Sequence, residues 1–158
     1  MEKKTLITAM KSSISEIMET MFFTPVEFPV TVPEGLPDLK EPDKIISGML
    51  NFHGPFSGYF ILSVPKKLGS LFTSDFLGED EENISGEQLS ETIKEILNML
   101  AGSTFTNYDD NAVFNLDIPK IVDCNKAKTN IASPEEKLVV IAQTPDNCLS
   151  FTMFETPS

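Results

Sequence analysis

The chain is poor in the residues that usually carry active-site chemistry. It has one histidine and two cysteines in 158 residues. His53 falls in a predicted turn and reads as a loop residue rather than a general base. Cys124 and Cys148 have no close pairing and stand with no His/Cys group of metal-ligand spacing, so both are expected as buried free thiols. No glycine-rich phosphate loop is present. Gly69 and Gly78 are isolated, and Gly54 and Gly58 flank a predicted hairpin. No serine–histidine–acid set can be assembled. No apolar run approaches the roughly 18 residues a membrane span requires. Lys3 and Lys4 open the chain, but polar residues interrupt any signal-peptide core, which predicts a cytoplasmic protein.

Basic charge is also scarce. Twelve basic residues face 24 acidic ones, for a net charge of −12. Nucleic acid is not expected as a partner, because phosphate neutralisation needs a basic patch. An anionic membrane surface is disfavoured for the same reason. A protein surface that offers a lysine suits this charge better.

What the chain does have is amphipathic periodicity. Ser85–Phe105 reads as a helix of about five turns. Ser85 is a suitable N-cap, Gln88 completes a capping box, and Glu87 favours the first turn. Leu89, Ile93, Ile96, Leu97 and Leu100 form one apolar stripe. Glu91, Glu95, Asn98 and Gly102 fall together on the opposite side at about 100° per residue. An acidic outer face is ordinary for a solvated helix. Asn98 and Gly102 are not: asparagine competes for backbone hydrogen bonds, and glycine costs about 1 kcal/mol against alanine. Either something must approach the backbone at Gly102, or the helix is ending there. Paired carboxylates in a cleft would suit a glycosidase, but Glu91 and Glu95 lie one turn apart on a convex face.

The remaining pattern predicts a first helix over Thr5–Phe22. Leu6, Met10, Ile14, Ile17 and Met21 form its apolar face, and Ser12, Glu16 and Glu19 lie outward. Val26–Val32 is extended and proline-interrupted, an edge strand at most, and residues 33–43 read as a loop. Ile45–Phe52 and Phe56–Val64 form a hairpin about His53-Gly54-Pro55. Pro65–Leu77 is a helix that ends at Gly78, and Glu79–Asn83 is an acidic loop. Ala112–Val122 is extended and irregular. Lys137–Gln143 and Cys148–Phe154 form a second hairpin about Pro145-Asp146-Asn147. The order helix, proline-marked segment, hairpin thus occurs twice. Glu16 and Glu19 take the places of Glu95 and Asn98 at the same offset. The expected architecture is a single α+β domain with a pseudo-two-fold repeat, in half-repeats of about 1–78 and 79–158. Two long helices would lie side by side on an antiparallel or mixed sheet.

The stretch Glu91-Thr-Ile-Lys-Glu95-Ile-Leu-Asn98-Met-Leu-Ala-Gly102, with Pro119 downstream, resembles the chemotaxis phosphatases CheC, CheX and FliY. Their motif is Asp or Ser, three residues, then Glu-x-x-Asn, with a later proline. The run Gly48–Pro65 resembles the family's first hairpin. The CheC type carries a site on both long helices and the CheX type on the second alone, so this chain resembles the CheX type. Three positions depart from the pattern: Glu91 replaces Asp or Ser, Pro119 comes slightly early, and Glu19 stands where the first helix would carry Asn.

The resemblance implies hydrolysis of the aspartyl phosphate on a CheY-like receiver. Asn98 would position the water, Glu95 would pair with the receiver's lysine, and Glu91 and Gly102 would lie against the partner. Mg²⁺ would belong to the receiver, with no cofactor on this chain, and a homodimer through sheet edges is implied. A non-catalytic module that docks a receiver or flagellar switch component is the alternative. An unrelated structural domain with a solvated acidic helix is the third reading.

Overall fold

The computed structural model describes residues 2–34, 39, 41–123 and 136–156; Cys124 lies outside them. Helix α1 spans Lys3–Met21. Strands β1 (Ile45–His53) and β2 (Gly58–Pro65) follow, then helix α2 (Lys66–Leu77). Helix α3 (Gly86–Tyr108) precedes the short strands β3 (Asn115–Leu116) and β4 (Lys120–Val122). Strands β5 (Glu136–Gln143) and β6 (Cys148–Glu155) complete the order.

The sheet is antiparallel, in the order β3–β1–β2–β6–β5, with β4 also on β1. Its two outer ends are alike. The extended segment after α3 supplies β3 and β4, which pair with β1. The extended segment after α1 reaches β5 through one bridge, Glu27 to Gln143. Each proline-marked segment thus pairs with the hairpin of the other half of the chain. The Val26–Val32 strand shrinks to that single bridge, because Pro25 and Pro29 remove donors on either side of Glu27. Residues 112–122, read as irregular, contain two short strands, and Pro119 lies between them.

Alternation along the strands sends one set of side chains toward the helices. Leu50, Phe52, Phe60, Leu62, Phe151 and Met153 are fully buried on that side with Leu6, Met10, Ile14, Ile93 and Leu97 from α1 and α3. Removal of the Leu97 side chain to alanine from such a site costs about 2–5 kcal/mol. Gly48 and Gly69 let α3 approach: a Cβ at Gly69 would lie 2.8 Å from Leu89 Cδ1, and one at Gly48 would lie 3.1 Å from Leu97 Cδ2.

The first helix differs from expectation at its end. Met21 is exposed and Met18 and Phe22 are buried in its place. At 3.6 residues per turn the stripe from Ile14 passes through Met18 to Phe22 and leaves Met21 to one side. Phe23 then takes a left-handed conformation, φ 50°, a position usually held by glycine at a helix end. Thr24 N–H returns to the Met18 carbonyl at 3.0 Å, and the Phe23 ring points to solvent at 87% exposure. Strand β2 starts at Gly58 rather than Phe56. Phe56 belongs to the turn, where its ring packs on Phe52, Phe105, Tyr108 and Phe114. Pro65 closes β2 and caps α2 from outside the helix rather than starting it.

Candidate functional site

Helix α3 is fixed at both ends. At its start, the Gln88 backbone N–H donates to Ser85 Oγ at 3.1 Å, and the Ser85 N–H donates to Gln88 Oε1 at 2.9 Å. This capping box satisfies two otherwise free donors, and a Ser85→Ala change costs about 1 kcal/mol. At its end, the Phe105 ring stacks on Phe114 with centroids 3.8 Å apart and 3° between planes. Beside it, the buried Ser13 hydroxyl accepts from Thr104 Oγ1 at 3.3 Å and Asn107 Nδ2 at 3.2 Å, which ties α1 to α3. The middle of α3 is therefore a rigid rod, held by sheet, helix and caps.

Four residues lie on the outer side of that rod. Glu91, Glu95 and Asn98 are exposed and Gly102 is half-buried, while Ile93, Ile96, Leu97 and Leu100 beneath them are buried. Among the described residues, the side chains of Glu95 and Asn98 make no hydrogen bond or ion pair. Glu91 does: its carboxylate lies 2.6 Å from Lys94 Nζ. The i,i+3 spacing was visible in the sequence, but its consequence was missed. The Glu91 charge is compensated within the helix, so Glu95 is the carboxylate presented free. Exposed helical pairs of this kind contribute only a few tenths of a kcal/mol, and a partner can displace Lys94.

Helix α3 does not end at Gly102; it runs on to Tyr108. A Cβ at Gly102 would meet nothing within 4 Å. The chain's own packing therefore gives no reason for glycine there. Gly102 borders an open depression of about 240 Å³, shared with Thr106, Asp109, Ala112 and Phe114. His53 lies well apart at the end of β1, 3.5 Å from the Asp117 carboxylate and largely exposed.

Helix α1 lies beside α3 with a second outward row: Ser12, Glu16 and Glu19, all exposed. Neither glutamate has a partner among the described residues. No group of three or more His, Cys, Asp or Glu among the described residues could hold a metal ion. No helix among them is long and apolar enough to cross a membrane. Cys148 is fully buried at the start of β6, and burial pushes its thiol up from the ordinary range.

The family model described as chemotaxis phosphatase CheX matches residues 46–143. The chain belongs to the CheX family. The matched span contains α3 and its whole outer row, and begins after α1. Solved CheX structures share the fold over nearly the full length. Vibrio vulnificus CheX is 14% identical with a TM-score of 0.72, covering 99% of each chain. Borrelia burgdorferi CheX, solved in complex with CheY, BeF₃ and Mg²⁺, is 19% identical with a TM-score of 0.71, covering 96% of this chain and 98% of that one. Thermotoga maritima FliY is 17% identical with a TM-score of 0.60, over 91% of this chain and 83% of its own. No curated protein sequence matches this CheX-family chain significantly.

Proposed function

We propose that this CheX-family protein hydrolyses the aspartyl phosphate of a CheY-like receiver domain in the cytoplasm. The observation that carries this reading is the Glu95/Asn98 pair: exposed, unpartnered among the described residues, one turn apart on a fixed helix, and inside the span matched to the family.

The chemistry needs little from this chain. Water attacks phosphorus, the acyl phosphate P–O bond breaks, and the aspartate leaves as a carboxylate. The receiver supplies Mg²⁺ and a lysine that neutralise charge on the phosphoryl oxygens. What remains is to hold the water in line, much as a glutamine does in small GTPases. The Asn98 amide can accept from the water and donate to a phosphoryl oxygen, and it brings no charge against the dianion. Glu95 pairs with the receiver's lysine and sets the helix in the cleft. Glu91 lies at the edge of the contact, and Gly102 leaves the backbone bare where the partner passes. Glu19 on α1 is no substitute for Asn98, because a carboxylate there repels the phosphoryl group.

Phosphate release from a phosphorylated receiver with Mg²⁺ tests this reading. The expected result is release faster than the receiver's own rate. The Glu91–Lys94 ion pair, at a position where the family carries Asp or Ser, favours a second reading, a docking module without catalysis. That reading predicts receiver binding with no acceleration. A homodimer joined at sheet edges is part of the proposal; light scattering should give twice the 17.5 kDa chain mass, and a monomer at micromolar concentration would remove it.

A further inference from the structure

Among the described residues, Phe23 is the one residue other than glycine with a positive φ, 50°. Bulky side chains avoid this left-handed region, and helices that end through it usually place glycine there. The ring gains nothing from the position. It is 87% exposed and makes no ring contact among the described residues, whereas Phe22 beside it packs on Phe72 and Phe76. An exposed apolar side chain is ordinary by itself. One exposed on an unfavourable backbone serves no need of the fold, and such outliers collect at functional sites.

Phe23 lies beside the α3 row. The Glu2 N–H donates to the Tyr108 hydroxyl at 3.2 Å, and the Ser13 hydroxyl meets Thr104 and Asn107. Helices α1 and α3 therefore run antiparallel, side by side on one face of the sheet. Ser13 to Phe23 and Thr104 back to Lys94 are equal steps along the two chains, so Phe23 comes level with Lys94 and Glu95. Neighbouring helix axes lie about 8–10 Å apart. Both helices bury their opposite sides on the sheet, so both outward rows face the same way. A stable protein contact covers about 800 Å² of each partner, a patch roughly 30 Å across. A partner seated on Glu95 and Asn98 therefore reaches the end of α1. Met21 is also exposed there, and aromatic and methionine side chains are the ones enriched at the cores of interfaces. The exposed carboxylates of Glu19 and Glu95 border this apolar end. The surface that fits it is apolar with basic side chains around it.

We propose that Phe23 is a docking anchor for the CheY-like receiver seated on the Glu95/Asn98 row, its ring set into an apolar site bordered by basic side chains. The inference rests on the reading that a receiver docks on that row. Phe23 acts on binding alone and leaves the chemical step to Asn98.

Phosphate release measured against receiver concentration separates the two roles. Phe23→Gly should raise KM about tenfold and leave kcat unchanged, as when binding is lost equally from ground and transition states; Asn98→Ala should lower kcat. Titration calorimetry should show the same tenfold change in Kd, whether or not the receiver is turned over. Glycine accepts this backbone, so the melting temperature of Phe23→Gly should hold or rise. The chain has no tryptophan, so Phe23→Trp carrying 5-fluorotryptophan supplies a single ¹⁹F reporter. Its signal should shift saturably on addition of a receiver activated with beryllofluoride and Mg²⁺. Equal Kd for wild type and Phe23→Gly, or a fluorine signal that the bound receiver does not move, would overturn the anchor and leave the α3 row standing. A lowered melting temperature would give the ring to the chain's own fold, and lost self-association would give it to a second copy; either would overturn the anchor. If wild type binds no receiver, the reading of the α3 row falls and the anchor falls with it.

Discussion

At matching offsets α1 presents Ser12, Glu16 and Glu19 outward, while α3 presents Glu91, Glu95 and Asn98. Beneath these rows the same offset pairs Ile14 with Ile93, Ile17 with Ile96 and Met18 with Leu97, and all six are buried. The apolar sides are thus interchangeable in character, so packing on the sheet does not dictate what stands outside. The helices also end differently: the offset sets Phe23, where α1 has already turned away, against Gly102, where α3 continues. What separates the two rows is therefore what each can touch. The α3 row carries a neutral amide; the α1 row offers a hydroxyl and two carboxylates.

Asn98→Glu gives α3 the carboxylate that α1 carries at the matching position, and should have the largest effect. The rate of receiver dephosphorylation should drop by on the order of 10²-fold, as expected when a positioning group is lost, with the fold unchanged by circular dichroism. Glu95→Ala should weaken receiver binding by about tenfold at low salt and less at high salt, whereas Glu16→Ala on α1 should leave it unchanged; titration calorimetry of both variants would separate the helices. Equal losses would mean that the rows act alike. Glu19→Asn supplies the missing amide on α1. If that row can reach a receiver, turnover should rise by no more than about twofold, the gain from a second equal site.

Gly102→Ala should split stability from function. A Cβ there meets nothing within 4 Å, so the helix gains about 1 kcal/mol, about 2–4 °C in melting temperature, while receiver binding weakens. The smallest effect lies away from both rows. Burial raises the Cys148 thiol in the folded chain, so the folded state keeps this proton to higher pH than the unfolded one. Its stabilising contribution is complete below the unfolded value of about 8.5 and declines as pH rises above it. Urea midpoints of wild type should fall more steeply above that pH than those of Cys148→Ala.

Local signals in the sequence were strong where local physics decides. The capping box at Ser85 and Gln88, the stripe under α3 and the turns of both hairpins follow from spacing and residue type. Long-range pairing was not legible. Nothing near Glu27 or Lys120 says that each segment crosses to the other hairpin, because bridge partners lie far off in the chain. Phe56 looked like a strand residue until its ring met four other aromatics at the end of the helix bundle. For the candidate site, the outward row was readable from a 100° step. The Lys94 ion pair was not weighed, because a side chain's reach is not part of periodicity.

The most direct test is phosphate release from a phosphorylated CheY-like receiver with Mg²⁺, measured for wild type and Asn98→Ala at concentrations where both are bound. Wild type should accelerate release, and Asn98→Ala should leave the receiver at its own rate. Equal acceleration by both would contradict this and take Asn98 out of the chemistry.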